Sequence, residues 1–341
     1  MPVAMPPLAV VIIGAGKGTR MKSAMAKVLH PLAGRPLIMY VLELARRLQP
    51  QRLITVVGHQ AAAVRAVCAW QGVQCVLQEP QLGTGHAVAQ AEPLLTDFTG
   101  NVLILYGDVP LLQLETVRRL CLEHCQQQAT VTVLTAVLSD PYGYGRIVRD
   151  TQGRIQRIVE ERDASVSERR ISEVNSGIYC IQAPFLFAAL KRVGSANVQG
   201  EQYLTDVVAI AVTEQHTVAH VSVPEAQEII GINTRVDLAQ LEALLRRRLC
   251  DTWMLAGVTI VDPTTTVIDA DVRIGQDTVV APQTHLLGHS SIGAGCHIGP
   301  QVVIQDSTLG DGVRVEPFSM VRNRAVLPRT TVTAFSNLTS P

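Results

Sequence analysis

The sequence predicts an α/β domain followed by a short parallel β-helix, and three observations carry this prediction. Residues 8–231 alternate apolar runs with amphipathic stretches, which is typical of a mostly parallel sheet covered by helices. A long helical segment is predicted from about Asn233 to Leu255. Beyond it, large aliphatic residues recur at every sixth position, which is typical of a parallel β-helix. We therefore expect a sheet domain, a connecting helix and a solenoid, in that order.

The composition excludes several classes of protein. The 341 residues carry 29 Lys+Arg and 29 Asp+Glu, so the chain has no overall basic field that would attract nucleic acid. The apolar run Leu8–Ile13 is far shorter than the roughly 20 residues that cross a bilayer. No basic residue precedes Lys17, so the charged start of a secretory signal is missing. The 7 scattered cysteines contain no C-x-x-C pair, and we expect reduced thiols in a cytoplasmic protein without nucleic-acid or membrane partners.

Strands and helices are expected to alternate in the first domain. The strands predicted from apolar runs are Leu8–Ile13, Leu53–Val57, Val73–Leu77, Val102–Leu105, Thr130–Ala136 and Gly177–Ile181. The helices predicted between them are Pro36–Leu48, Ala61–Trp70, Gly85–Leu95 and Leu114–Gln127. Ligands of such sheets bind outside the carboxyl ends of the strands. The residues just after Ile13, Leu77 and Leu105 are therefore the first candidates for a site.

The β-helix prediction depends on one inward aliphatic residue per side of each coil. These residues are predicted to be Ile274, Val280, Leu286, Ile292, Ile298 and Ile304 and, after a slip of one position, Leu309, Val315, Val321 and Leu327. With three sides to a turn they make about three coils. Residues 330–341 follow as a tail without a visible cap, so either the natural chain is longer or neighbouring subunits cover the end. His285, His289 and His297 are expected at the surface or in turns.

The first strand leads directly into a glycine-rich loop, Gly14–Met21. Glycines at 14, 16 and 18 allow a tight turn and expose N–H groups that can hold phosphate oxygens. The loop is neither a P-loop nor the dinucleotide fingerprint, because Lys17 precedes Gly18 and position 19 is threonine. Arg20 and Lys27 add two cations that suit a polyphosphate. For the glycines alone, a plain strand-to-helix turn is the alternative.

Polar residues also follow two further strands. Gln78 and the segment Gln81–Ala87 offer an amide and a Gly-Thr turn, which can read the edge of a base; alternatively, Thr84 merely caps a helix. His86 has no Ser, Cys or acid beside it to complete a triad, so we expect it to be structural. Asp108 follows a buried apolar strand and suits Mg²⁺ that bridges substrate phosphates. The alternative for Asp108 is an ordinary turn before proline.

Together with later short motifs, these segments resemble a family of bifunctional bacterial enzymes, the N-acetylglucosamine-1-phosphate uridyltransferase / glucosamine-1-phosphate acetyltransferases. The matching motifs are Gly16–Met21, Lys27–His30, Gln81–His86, Tyr106–Pro110, Gly143–Ile147, Asn175–Ile178 and Gly231–Asn233. Seven motifs in this order are specific, whereas the glycine loop alone also fits other sugar-nucleotide pyrophosphorylases.

The resemblance implies both an architecture and a reaction. It implies a Rossmann-like nucleotidyltransferase domain over residues 1–232, a linker helix over 233–257 and a partial left-handed β-helix over 258–329 that forms a homotrimer. The implied reaction joins UTP and N-acetylglucosamine 1-phosphate into UDP-N-acetylglucosamine, a cell-wall precursor, with release of pyrophosphate. Mg²⁺ is the implied cofactor.

The resemblance also implies a role for each matching residue. The residues expected to bind UTP are Ile13, Gly14, Gly16, Arg20, Lys27, Gln78, Gly83 and Thr84. Of these, Arg20 and Lys27 are expected to hold the phosphates, and Gln78, Gly83 and Thr84 are expected to read uracil. Those expected beside the sugar are Tyr106, Gly145, Glu160 and Asn175. Asp108 and Asn233 are expected to bind Mg²⁺. Asp108 and the two cations form the implied catalytic set.

The sequence departs from the family at two positions and at its end. Gly14 stands where the family has alanine, and Ala26 precedes Lys27 where proline is common, which is expected to loosen that loop. The family's acetyltransferase site lies in later coils than these hexads, so acetyl transfer is not expected. Two other functions stay open: a related enzyme that uses glucose 1-phosphate, and a non-catalytic regulatory subunit. The presence of every predicted charged site residue argues against the second.

Overall fold

The computed structural model describes residues 6–69 and 72–339. Its described residues divide into two compact units, one made of residues 6–30 and 37–234 and the other of residues 31–36 and 235–339. Among these residues, none of the helices combines the length and the hydrophobicity needed to span a membrane.

The first unit alternates strands and helices, as the sequence predicts. The strands up to residue 222, two of which belong to the second unit, are β1 (Leu8–Gly14), β2 (Pro31–Leu32), β3 (Arg35–Pro36), β4 (Arg52–Val57), β5 (Val73–Leu77), β6 (Asn101–Tyr106), β7 (Val131–Val137), β8 (Arg146–Arg149), β9 (Ile155–Val159), β10 (Glu173–Gln182) and β11 (Val218–Ser222). The helices are α1 (Leu37–Arg47), α2 (Ala61–Cys68), α3 (Thr84–Ala89), α4 (Leu114–Gln126), α5 (Ala183–Leu190), α6 (Asp206–Thr213) and α7 (Arg235–Leu255), the last in the second unit.

The large sheet has the order β11-β7-β10-β6-β1-β4-β5. Strand β1 is parallel to both neighbours, β4 is parallel to β5, and β11 is parallel to β7. Strand β10 runs antiparallel to β6 and β7, and the hairpin β8-β9 attaches to β10. The predicted α/β class with a mostly parallel sheet is thus confirmed.

Both faces of this sheet are buried, which explains its continuous apolar strands. Along β1, Val11 and Ile13 pack into one core with residues of α3, α5 and α6. Val10 and Ile12 point the opposite way and pack with residues of α1, α2 and α4. With both faces covered, the ends of the strands are the places where the sheet can present polar side chains.

The predicted helices differ from the structure in extent. Helix α3 ends at Ala89 instead of Leu95, and a short 3₁₀ turn, Glu92–Leu94, follows. Pro93 explains the break, because proline lacks the N–H that would continue an α-helix. Trp70, the predicted end of α2, lies outside the described residues, and the described helix ends at Cys68. The sequence analysis did not predict β8, β9, β11, α5 or α6.

Short parallel strands stack into three sheets in the second unit. They are β12 (Thr259–Ile260), β13 (Val267–Ile268), β14 (Arg273–Ile274), β15 (Val279–Val280), β16 (His285–Leu287), β17 (Ser291–Ile292), β18 (His297–Ile298), β19 (Val303–Gln305), β20 (Thr308–Leu309), β21 (Arg314–Val315), β22 (Met320–Arg322), β23 (Ala325–Val326), β24 (Thr331–Val332) and β25 (Asn337–Thr339). In the described part of the chain the sheets hold five, five and four strands, which makes four complete coils and two sides of a fifth.

The predicted β-helix is confirmed, but the prediction of about three coils is too low. The stack begins at Ile260 and Ile268, before the first residue of the predicted series. Ile268 fits the six-residue period with Ile274 and was missed, whereas Ile260 lies eight residues before Ile268 and breaks the period. It also continues beyond residue 329, because β24 and β25 pair with the coil before them. The predicted tail is therefore β-helix as far as Thr339, and residues 340 and 341 lie outside the described part.

Leu327 is the one wrong residue in the predicted inward series. It is 76% exposed, and Val326 packs against the core in its place. The turn before Val326 contains Asn323 with φ of 50°, as the earlier slip contains Asp306 with φ of 46°. Both turns set successive inward residues five positions apart instead of six, from Ile304 to Leu309 and from Val321 to Val326. His285, His289 and His297 are exposed, as predicted.

The long helix α7 is confirmed. It is followed by Gly257 with φ of 92°, a backbone conformation that favours glycine and stops a helix. The hairpin β2-β3 joins this second unit, where the N–H of Ala33 donates to Glu242 Oε2 of α7 at 2.8 Å and Arg35 pairs with Asp271 at 2.9 Å.

Candidate active site

The first unit brings two of the predicted site segments together at one edge of its sheet. Strands β1 and β6 are neighbours with Ile13 paired to Tyr106, and the N–H of Gly107 donates to the carbonyl of Ile13 at 2.9 Å. The glycine loop and Asp108 therefore begin side by side. This follows from the strand order, which the sequence alone does not determine.

Four predicted site residues form a polar cluster at this edge. Lys27 Nζ makes an ion pair with Asp108 Oδ2 and donates to Asn233 Oδ1 at 3.1 Å. Arg20 Nη2 donates to the same Asn233 oxygen at 2.9 Å. Asp108 is only 7% exposed. Two cations, one carboxylate and one amide oxygen thus converge from three separate parts of the chain.

Backbone contacts explain the position of Asn233. The N–H of Ile232 donates to the carbonyl of Asp108 at 3.0 Å, which ties the two segments together. Asn233 Nδ2 donates to the carbonyl of Gly231 at 3.2 Å, so its amide oxygen faces the cations. Helix α7 begins at Arg235, two residues after Asn233, so Asn233 is not the N-cap of this helix.

The loop that carries Lys27 is held by a residue that the sequence analysis missed. The N–H of Ala26 donates to Gln60 Oε1 at 2.8 Å, and Gln60 Nε2 donates to the carbonyl of Ala24 at 2.7 Å. Proline has no N–H and could not make the first bond. The loosening expected from alanine at this position is thus offset by a side-chain bridge.

The cluster fits a magnesium ion that is bound together with substrate phosphates. Asp108 and Asn233 offer a carboxylate and an amide oxygen, which are hard ligands, and the ammonium of Lys27 already lies against both. Mg²⁺ commonly takes one or two protein oxygens and completes its shell with phosphates and water. Within residues 6–69 and 72–339, no group of three or more His, Cys, Asp or Glu side chains suits a metal by itself.

A cavity of ≈ 330 Å³ lies beside the glycine loop. It is lined by Ile13, Gly16, Lys17, Gly18, Thr19, Gln78, Gln81, Gly83, Thr84, Ala87 and Glu201. The loop predicted to bind phosphate and the segment predicted to read a base therefore share one cavity. Gly14 is buried beneath the loop and is not among the lining residues; a methyl group there would lie 3.3 Å from Ile38 Cδ1.

The amide of Gln78 is held in a defined orientation. Its Nε2 donates to the carbonyl of Gly83 at 2.9 Å and to His86 Nδ1 at 3.2 Å. Both amide hydrogens are then in use, and the Oε1 atom is left as an acceptor. Gln78 is 3% exposed, so this acceptor has little access to bulk water. His86 orients Gln78, in agreement with the structural role predicted for it.

Gly83 and Thr84 are fixed by a segment that the sequence analysis did not single out. Gly83 has φ of 113°, and a methyl group there would lie 2.5 Å from the carbonyl oxygen of Gln202. Thr84 Oγ1 accepts a hydrogen bond from the N–H of Leu204 at 3.0 Å. Thr84 is therefore a tertiary contact, and its hydroxyl does not cap α3.

The residues predicted beside the sugar are neighbours of one another. The N–H of Asn175 donates to the carbonyl of Gly145 at 2.8 Å, and a methyl group at Gly145 would lie 3.6 Å from Glu160 Oε2. Thr205 Oγ1 donates to Glu160 Oε1 at 3.1 Å. Burial raises the pKa of the Glu160 carboxyl above its usual value. Glu160 and Thr205 also line a second cavity of ≈ 350 Å³, which Asn175 and Gly145 do not line.

Tyr106 lies at the end of β6 against a glycine. A methyl group at Gly177, which has φ of 82°, would lie 2.7 Å from Tyr106 Cε2. Burial raises the pKa of the Tyr106 hydroxyl, so it remains protonated at neutral pH. A neutral ring with one hydroxyl is therefore available at the strand end that leads to Asp108.

Comparison with known proteins identifies the family of the chain. A MobA-like NTP transferase domain matches residues 10–174, and six bacterial transferase hexapeptide repeats match residues 271–306. The bifunctional protein GlmU of Trichlorobacter lovleyi is 47% identical over 331 residues, which cover 97% of this chain and 72% of that protein. GlmU of Prochlorococcus marinus is 49% identical over 309 residues, 90% of this chain and 68% of that protein. The chain belongs to the GlmU family.

As a member of the GlmU family with an NTP transferase domain, the chain is a nucleotidyltransferase. This confirms the predicted family and enzyme class. A crystal structure described as a glucose-1-phosphate thymidylyltransferase from Bacillus anthracis aligns with a TM-score of 0.56 and 18% identity over 70% of this chain and 94% of that one. At such low identity the alignment supports the fold alone.

Proposed function

We propose that this GlmU-family chain transfers the uridylyl group of UTP to N-acetylglucosamine 1-phosphate, with Mg²⁺ bound by Asp108 and Asn233. The observation that carries the proposal is the convergence of Arg20, Lys27, Asp108 and Asn233 at the edge of the sheet. A site with cations, a carboxylate and no triad suits transfer between phosphates. A scaffold protein without activity has no need for such a cluster.

The chemistry needs positioning and charge neutralisation rather than a general base. An oxygen of the sugar phosphate attacks the α-phosphorus of UTP, and the bond between that phosphorus and the bridging oxygen of the β-phosphate breaks, which releases pyrophosphate. The attacking phosphate is already ionised, so no proton has to be removed. Arg20 and Lys27 neutralise negative charge on the phosphates, and the N–H groups around Gly16 hold them. Bound Mg²⁺ supplies further neutralisation of the phosphate charge.

The amide of Gln78 supports selection of uracil. Uracil carries a donor, N3–H, between two carbonyl acceptors, whereas N3 of cytosine is an acceptor. Gln78 Oε1 pairs with the first and repels the second, because Gly83 and His86 fix the direction of the amide. In this proposal, the N–H groups of Gly83 and Thr84 donate to a carbonyl of the base. We therefore expect CTP to be a poor substrate.

The remaining assignments concern the sugar and the assembly. Gly145, Glu160 and Asn175 hold the N-acetylglucosamine part, with Tyr106 alongside, while Ile13 and Gly14 support the nucleotide. The nucleotide and sugar sites belong to residues 1–232, the linker segment 233–257 adds Asn233 to the magnesium site, and the β-helix that follows forms a homotrimer. We place the enzyme in the cytoplasm, where it supplies a cell-wall precursor. Acetyl transfer is not part of the proposal.

Release of pyrophosphate tests this function directly. The purified chain is given UTP and magnesium with either N-acetylglucosamine 1-phosphate or glucose 1-phosphate, and Asp108→Asn is the matched control for contaminating activity. Release with the acetylated sugar alone supports the proposal. Release with glucose 1-phosphate alone assigns the chain to the related enzyme, and no release with either sugar favours a regulatory subunit.

The same assay tests recognition of the base independently of recognition of the sugar. We expect the kcat/KM for CTP to be at least about a hundredfold below that for UTP, because buried polar groups would be left unpaired. Comparable values for the two nucleotides would rule out the role of Gln78 in base selection.

A further inference from the structure

Glu201 is a carboxylate in the nucleotide cavity without a role in the proposed reaction. It lines the cavity of ≈ 330 Å³ together with Gly16, Gln78 and Thr84. Among the described residues that line this cavity, Glu201 is the only acidic one. A negative group is unexpected beside a nucleoside triphosphate, since it repels the phosphates unless it meets a donor.

The backbone on both sides of Glu201 is held firmly. Asn197 Nδ2 donates to the carbonyl of Glu201 at 2.6 Å, and the N–H of Glu201 donates to Asn197 Oδ1 at 3.1 Å. The next residue, Gln202, bonds to the base-reading segment: its N–H donates to the carbonyl of Leu82 at 2.7 Å, and its carbonyl accepts from the N–H of Gly85 at 2.8 Å. These hydrogen bonds therefore fix the backbone of Glu201 relative to the segment predicted to read the base.

The chemistry of UTP leaves few partners for a carboxylate. A carboxylate only accepts hydrogen bonds. At neutral pH the donors of UTP are N3–H of uracil and the 2′- and 3′-hydroxyls of ribose. Gln78 Oε1 is the acceptor for N3–H, and the phosphates offer no donor. The ribose hydroxyls are the donors that remain for Glu201.

The second substrate is a less suitable partner, although it also carries hydroxyls. The residues assigned to its sugar, Gly145, Glu160 and Asn175, do not line this cavity, whereas those assigned to uracil do. We propose that Glu201 accepts hydrogen bonds from the ribose hydroxyls and makes the enzyme selective for ribonucleotides over deoxyribonucleotides. This inference rests on the proposed uridylyl transfer from UTP.

The test compares kcat/KM for UTP, 2′-deoxy-UTP and 3′-deoxy-UTP. The proteins are the wild type, Glu201→Gln, Glu201→Ala and, as a matched control, Glu115→Gln on the surface of α4, each checked for its melting temperature. One hydrogen bond to a charged group corresponds to a preference of about tenfold to a hundredfold. We expect the wild type and Glu115→Gln to prefer UTP over at least one deoxynucleotide by this amount. In Glu201→Ala the preference should fall to about threefold or less, with Glu201→Gln intermediate, because an amide oxygen accepts a weaker bond.

Each outcome decides between the inference and the function on which it rests. A wild type that uses deoxynucleotides as well as UTP overturns the inference, and so does a Glu201→Ala enzyme that keeps the wild-type preference or loses activity equally with all three nucleotides. If Glu201→Ala does not fold, the ratio for Glu201→Gln decides in the same way. No pyrophosphate release by the wild type with any of the nucleotides contradicts the proposed function itself.

Discussion

The two units of this chain bury polar groups in different ways. In the β-helix, buried hydroxyls bond to main-chain carbonyls: Thr278 Oγ1 donates to Gly293 at 2.8 Å, and Thr284 Oγ1 donates to Gly299 at 2.9 Å. In the first unit, Asp108 is buried against a lysine, and Gln78, which lines a cavity, uses its amide nitrogen in hydrogen bonds and keeps its amide oxygen as an acceptor. The first pattern completes the hydrogen bonding of a repeat, whereas the second leaves bonding capacity for a ligand.

The difference follows from the length and the ends of the strands. A β-helix strand of two or three residues places one side chain inward and passes at once into a turn that the next coil covers. The strands of the first unit are longer, and β1, β5 and β6 end in loops that carry Gly16, Gln78 and Asp108. Polar side chains of distant segments meet at such ends, where the ligands of this kind of sheet bind. We therefore expect the units to respond differently to substitution.

The largest expected effect is the loss of activity in Asp108→Ala. Removal of a group that neutralises transition-state charge costs about 3–4 kcal/mol, so kcat for pyrophosphate release should fall by at least about a hundredfold. We expect Arg20→Ala to behave in the same way. The exposed β-helix residue His297 provides the control, because His297→Ala should leave kcat within about twofold of the wild type. An Asp108→Ala enzyme that kept a tenth of the activity would contradict the assignment.

An intermediate effect is expected for Ile298→Val in the β-helix, and on stability instead of activity. Ile298 is 2% exposed and lies between Val280 and Val315 of the coils before and after it. Loss of one buried methyl group costs about 0.5–1.5 kcal/mol. Trp253 packs against this core, so its fluorescence in a Trp70→Phe background reports the unfolding of this unit in urea.

Ile298→Val also tests whether a change in the stability of the β-helix leaves the activity of the first unit unaffected. Since the residues of the proposed chemistry all lie in the first unit, kcat of Ile298→Val should equal that of the wild type while its unfolding midpoint falls. A tenfold loss of kcat without a change in the midpoint would show that the contrast between the units is wrong.

Much of this molecule could be predicted from local sequence. The six-residue period identified nine of the ten inward positions it proposed, because each depends on neighbours a fixed number of residues away. The prediction for Leu327 was wrong because the turn at Asn323 is one residue short and shifts the inward position to Val326. A regular six-residue period does not predict which turns are shortened. The residues of the polar cluster could be proposed from motifs, but their meeting depends on β6 lying beside β1.

The missed residues share one property: each holds another segment of the site in place. Gln202 positions Gly83 and Gly85 with its backbone atoms, and backbone contacts carry no signature of residue type. Gln60 supports the Lys27 loop from another part of the chain, through the N–H of Ala26. Residues whose side chains take part in the chemistry are therefore easier to identify from a sequence pattern than the residues that hold them in place.

The smallest expected effect concerns Glu160 and the pH dependence of stability. Burial raises the pKa of this carboxyl, so between its ordinary range and the raised pKa the folded chain holds a proton that the unfolded chain has lost. The contribution of Glu160 to the unfolding free energy is therefore lost as pH rises through this window. Glu160→Gln lacks this loss, so its stability relative to the wild type should increase with pH and then level off.

Urea unfolding of the wild type and Glu160→Gln from about pH 4 to pH 8 measures this pH dependence, with Glu115→Gln as the control. A difference in unfolding free energy between the two proteins that did not depend on pH would contradict this prediction. A gain in stability together with a raised KM for the sugar phosphate would show that the buried carboxylate is retained for binding at the expense of stability.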